Sequence, residues 1–99
     1  MFNKIKAIKD LRDQAKQMQG MMEETVVVGE GGRGQIKVRM NGSQMVLSVD
    51  IEEGALENKS KLQDGIKDAI NDAVKQVQKA MMERMKESGG MDMFKNLGL

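Results

Sequence analysis

An α+β subunit of order α-β-β-β-α follows from three observations. Two runs of period 2 lie on either side of an Asn-Gly pair at the centre of the chain, a short β-branched run precedes them, and a long stretch of helical period flanks the group on each side. Together they predict one domain over residues 1–99: helix about 3–23, strands about 25–30, 34–41 and 43–51, helix about 61–87, and a tail over 89–99. The strands form a three-stranded antiparallel meander flanked by the two long helices.

In the first helix Ile5, Ile8, Leu11, Ala15, Met18 and Met22 recur at spacings of three and four and make one apolar stripe. Asn3 is placed to cap its N-terminus. Gly20 interrupts the pattern at a cost of up to about 1 kcal/mol relative to Ala. Val26-Val27-Val28 begins the sheet, and the turn after it falls in the four-glycine stretch Gly29-Glu30-Gly31-Gly32-Arg33-Gly34. From Gln35 to Met40 the chain alternates, with Ile36, Val38 and Met40 on one face and Gln35, Lys37 and Arg39 on the other. Asn41-Gly42 favours a type I′ turn, because both residues tolerate positive φ. Alternation resumes from Ser43 to Ile51 and puts Met45, Leu47, Val49 and Ile51 on one face. A sheet with one apolar face needs a cover.

The connection Glu52 to Lys59 has room for one short helical turn. Ser60-Lys61-Leu62-Gln63 matches a capping box at the start of the second helix. Leu62, Ile66, Ala69, Ile70, Ala73, Val77, Ala80 and Met81 share a face of that helix, and the stripe degrades at Arg84. Gly89-Gly90 stops the helix, and Met93, Phe94, Leu97 and Leu99 follow in the tail. At 1.5 Å per residue the helices span roughly 30 and 40 Å, more than strands of about 5 to 7 residues can cover. The excess apolar length predicts that a second copy completes the core, as a homodimer.

Composition narrows the chemistry. The chain has no Cys and no His, which removes disulfides, thiolate chemistry, histidine bases and most zinc sites. Its net charge is +1, from 16 basic and 15 acidic residues, so any polyanion surface must come from arrangement rather than excess. The N-terminal residues lack the apolar run of a signal peptide, and no stretch approaches the 18 or so apolar residues of a membrane span. The expected location is the cytoplasm, without membrane contact or a small-molecule substrate.

The glycine stretch resembles a phosphate-binding loop, but period 2 resumes at Gln35 where such a loop requires a helix, so it is read as a structural turn. Asp64, Asp68 and Asp72 form a row on one helix face. A hard cation needs about six inward oxygens, and a solvated face near a helix N-terminus is the simpler account. No catalytic, metal or cofactor set emerges. The basic residues are better placed. Lys9, Arg12 and Lys16 cluster on the first helix, while on the second Lys75, Lys79 and Lys86 follow the acids along the outer face. Basic helix ends suit phosphate contacts, and the helix dipole alone also favours acids early and bases late. Two Met clusters, Met18/Met21/Met22 and Met81/Met82/Met85, suit either a helix-pairing interface or an adaptable protein-binding surface.

Across residues 2 to 87 the chain resembles the YbaB/EbfC family of bacterial nucleoid-associated proteins. The resemblance rests on Met18 and Met22, on Gly34-Gln35-Ile36-Lys37-Val38, and on Asn41-Gly42. Val49-Asp50-Ile51 and Asp68-Ala69-Ile70-Asn71-Asp72-Ala73 complete it. The family's glycine-rich lead and its proline-containing tail are not matched. The resemblance implies a tight homodimer with helices projecting like tweezers and no catalysis or cofactor. It also implies binding of double-stranded DNA with little sequence preference, in the nucleoid. Carried over residue by residue, it assigns the DNA surface to Lys9, Arg12, Lys16, Lys75, Lys79 and Lys86. The alternative function is a non-enzymatic protein-binding or assembly adaptor using the Met-rich helix ends.

Overall fold

The computed structural model describes residues 2–87, with side chains from residue 7 onward. The elements are α1 (Phe2–Glu24), β1 (Val26–Gly31), a short turn of 3-10 helix (Gly32–Gly34), β2 (Ile36–Asn41), β3 (Val46–Ile51), a second 3-10 turn (Glu53–Glu57) and α2 (Lys59–Glu87). The order is the one expected. The tail over 89–99 and the side chain of Ile5 lie outside the described residues. Because α1 already begins at Phe2, Asn3 falls inside its first turn and is not its cap.

The sheet has the order β1-β2-β3, antiparallel throughout. Ile36, Val38 and Met40 of β2 are fully buried beneath α2, which presents Gly65, Ala69, Ala73 and Val77. The small residues on α2 meet small residues on β1. Cβ atoms added at Gly29 or Gly31 would overlap the backbone of α2, at Ala69 and Ala73 for the first and at Gly65 and Ala69 for the second. Helix and strand are therefore in backbone contact. The four glycines divide into two roles. Gly29 and Gly31 sit in the strand for packing, and only Gly32-Arg33-Gly34 makes the turn, with φ of 59°, 61° and 85°.

The Asn-Gly hairpin is not type I′. Gly42 has no positive φ; instead Gln44 does, at 62°. Gln44 N–H donates to the Asn41 carbonyl at 2.9 Å, and Asn41 N–H to the Met45 carbonyl at 3.0 Å. This is a longer hairpin loop closed by a left-handed residue. Buried Asn41 determines it, since its Oδ1 accepts the N–H groups of Ser43 and Met45 at 3.0 and 3.1 Å. Beyond the loop, Arg39 pairs with Ser48 but Met40 pairs with Val46, leaving Leu47 as a bulge. Met45, Leu47, Val49 and Ile51 consequently do not share one unbroken face.

The capping box is also replaced. α2 starts one residue before Ser60, and Asn58 is its cap: the Oδ1 accepts Lys61 N–H at 3.1 Å, and its carbonyl takes the first helical bond, from Leu62 N–H at 2.9 Å. Nor is Asp72 part of a solvated acidic row. Its Oδ2 accepts Glu30 N–H at 2.9 Å and the Gln76 side-chain amide at 3.0 Å, and Gln76 also donates to the Val28 carbonyl at 2.8 Å. These two side chains satisfy backbone groups on the free edge of β1.

α2 lies over β1 and β2 and leaves β3 uncovered. On the core side of β3, Val49 and Ile51 remain 44% and 38% exposed. At 100° per residue, Ile66, Ile70 and Val74 fall on the flank of α2 opposite Asp72 and Gln76, hence toward β3. The result is an apolar trough with β3 as floor and α2 as wall. Beyond its last turn, α1 departs from this body. Described residues 7 to 19 are exposed, Leu11 to 65%, and the molecule extends 65 × 26 × 18 Å.

Candidate nucleic-acid interface

The six basic residues expected at a DNA surface are all exposed. They form two groups on two helices. By helical geometry Lys9, Arg12 and Lys16 lie within an arc of roughly 60° on α1, and Lys75, Lys79 and Lys86 within roughly 40° on α2. Asp13, four residues beyond Lys9, and Glu83, four beyond Lys79, each fall about 40° outside the arc and border it. The α2 group continues the flank that carries Asp72 and Gln76, so it runs past the β1 edge and away from the trough.

The outer face of the sheet adds one further cation. Lys37 is in register with Glu30 on one side and Asp50 on the other, a cross-strand ladder of alternating charge that neutralises it. Arg39 lies between Val28 and Ser48 and has no acid in register, so its charge is available.

A hollow of about 410 Å³ lies where the glycine turn meets the start of α2, and its charges cancel, since Arg33 and Lys61 face it together with Asp64 and Asp68. Among the described residues no group of acids could hold a metal ion, and no helix is long and apolar enough to cross a membrane.

The root of α1 is the feature that sequence analysis missed. Gly42 N–H donates to the Met22 carbonyl at 2.7 Å, and the Thr25 N–H and hydroxyl both donate to the Met21 carbonyl, at 3.1 and 2.7 Å. No short-range signal could reveal it, because Asn-Gly carries a turn signature and gives no sign of a distant helix seated on it.

The structure is thus an α-β-β-β-α subunit with a projecting N-terminal helix and basic residues along one flank of each helix. The chain belongs to the YbaB/EbfC DNA-binding family, whose sequence model matches residues 1–91. It is 34% identical over 96 residues to a nucleoid-associated protein of Synechococcus, covering 96% of this chain and 86% of that one. A nucleoid-associated protein of Chlorobium phaeobacteroides is 32% identical over 100 residues, covering 96% and 90%. Among solved structures, an uncharacterized protein of Helicobacter pylori shares the fold with a TM-score of 0.63 at 22% identity, over 78% of this chain and 92% of that one.

Proposed function

We propose that this protein is a nucleoid-associated protein that acts as a homodimer and binds duplex DNA with little sequence preference. It has no catalytic role, and its effects are on chromosome organisation and gene expression. Within a DNA-binding family, the observation that carries this reading is an N-terminal helix standing clear of the sheet with Lys9, Arg12 and Lys16 exposed along one flank. Lys75, Lys79 and Lys86 form the second contact group. Lysine and arginine on bare helix flanks meet phosphates without reading base edges, so affinity is dominated by charge and specificity is low.

The trough between β3 and α2 supports the dimer. An apolar floor and wall left open on a subunit this small require a cover, and a second copy supplies one with the same composition.

Fluorescence anisotropy of a labelled duplex of about 30 base pairs, titrated at several salt concentrations, tests the proposal, since each phosphate neutralised adds about 0.9 to the slope of log K against log salt. The double variant Lys75→Glu/Lys79→Glu is expected to weaken binding at least tenfold and to flatten that slope. Absence of binding at low salt by a folded dimer would remove DNA as the ligand. Capture of a nuclease-resistant protein partner would then favour the adaptor role, for which the exposed Met18 and Met82 are the relevant surface.

A further inference from the structure

We infer that the hairpin tip at Gly42 is the seat that sets the direction of α1, making Gly42 a positioning residue for the basic flank of that helix. The inference rests on the DNA-binding reading above, and the first arm of its test does not.

α1 is a long arm held at one end. Its described residues from 7 to 19 are exposed, and burial begins only at Gly20, Met21 and Met22. The bonds that seat it are those to the carbonyls of Met21 and Met22, from Thr25 and Gly42. Gly42 is required there for space. A Cβ atom at this position would lie 2.6 Å from the Met22 carbonyl oxygen, 2.9 Å from Met22 Cα and 3.0 Å from Met81 Sδ. Two of these neighbours are backbone of α1 and cannot give way by a rotamer change. The hairpin in turn is fixed by Asn41, whose side chain holds both Ser43 and Met45. Met81 brings α2 to the same point, so α1, the hairpin and α2 meet where the arm begins.

Leverage follows from the length. Lys9 is thirteen residues from Met22, about 20 Å along the helix. If a side chain at 42 displaces the Met22 backbone by about 0.6 Å against a pivot one turn away, the helix tilts by about 6° and its basic flank moves by about 2 Å. If the Gly42 bond breaks instead, the arm is left on the Thr25 bonds alone and its direction is no longer fixed.

The test uses the absence of native cysteine. Spin labels at Gln14→Cys on α1 and Gln78→Cys on α2 report the arm's direction by double electron–electron resonance, with doubly labelled protein diluted into unlabelled protein to isolate distances within a subunit. Gly42→Ala is expected to shift or broaden this distance distribution while retaining helical content and sedimenting mass. It is expected to weaken duplex binding several-fold and to lower the salt slope by up to about 0.9 for each phosphate that α1 no longer reaches. Should Gly42→Ala fail to fold, Asn41→Ala frees the loop that holds Gly42 against Met22, with the same expected broadening. An unchanged distribution in a folded Gly42→Ala or Asn41→Ala protein would overturn the inference, and so would a displaced arm that binds DNA as wild type does. If the wild-type protein binds no duplex, the DNA-binding reading fails by itself, and the distance measurement still decides whether Gly42 seats the arm.

Discussion

Replacing Gly29 by alanine adds one methyl group at the closest approach of helix and sheet. That methyl would overlap the Ala69 carbonyl oxygen and the Ala73 amide, both in the backbone of α2. Overpacking a core ordinarily costs about 1–3 kcal/mol, with side chains absorbing much of the strain. Here no side chain can absorb it, and α2 must lift by roughly 1 Å, a gap that forfeits a quarter to a half of the dispersion energy between the facing atoms. Lifting also pulls Asp72 from the Glu30 N–H and Gln76 from the Val28 carbonyl, bonds whose rupture costs about 1–3 kcal/mol where the groups are left unsatisfied. The expected destabilisation is about 4 kcal/mol, close to the whole stability of a weakly stable small domain. Urea denaturation followed by circular dichroism, at one fixed protein concentration, measures it. Gly20→Ala is the control. A Cβ there meets no atom within 4 Å, so α1 should gain up to about 1 kcal/mol of helix propensity. A Gly29→Ala midpoint equal to that of the wild type would mean that helix and strand do not meet through their backbones at Ala69 and Ala73, and the packing argument would fail.

Four further substitutions test local assignments by the same denaturation assay. Gln44→Gly relieves a left-handed residue at φ 62° and should stabilise the protein by about 0.5–1 kcal/mol. Asn58→Ala removes the cap of α2 and should cost about 1 kcal/mol, whereas Ser60→Ala should change stability by less than about 0.5 kcal/mol. Asp72→Ala leaves Glu30 N–H without its acceptor and opens the β1 edge, so a destabilisation of about 1–3 kcal/mol should be accompanied by increased light scattering from strand-to-strand association.

The element order was legible because period 2 and period 3.6 are properties of the chain itself. Ile36, Val38 and Met40 were assigned to the core by alternation alone, and Ala69, Ala73 and Val77 by helical spacing. The local errors share a cause: each signature had a nearby competitor that tertiary structure preferred. Asn58 displaced Ser60 as cap because α2 begins earlier, and Asn41 used its side chain to build a longer loop than a two-residue turn. Gly29 and Gly31 looked like turn residues because close backbone approach leaves no periodic trace. For the candidate interface, sequence supplied the basic residues and their grouping. It could not supply the seat of α1, a hydrogen bond between residues 22 and 42, or the cancellation of Lys37 by its strand neighbours.

The two edges of the sheet are treated differently, and that difference bears on assembly. Asp72 and Gln76 occupy the β1 edge and satisfy its backbone, which prevents another strand from adding there. At the other side β3 keeps Val46, Leu47, Val49 and Ile51 at least one-third exposed, beside the wall of α2. Indifference to exposed strands would leave both sides open, whereas a surface that serves as an interface must stay open while the rest is closed. Val49→Lys separates folding from association on this argument. In the isolated subunit the lysine can extend its ammonium into water from a position 44% exposed, so folding should be little affected. Across a dimer interface the same charge would be buried without a partner, at a cost of several kcal/mol for each copy. Analytical ultracentrifugation should therefore show a variant with wild-type helical content and half the wild-type mass. A Val49→Lys protein that sediments with the wild-type mass and dissociates at the same concentration would place the proposed dimer interface elsewhere, and would direct attention to the uncovered stripe of Ile8, Leu11 and Met18 on α1.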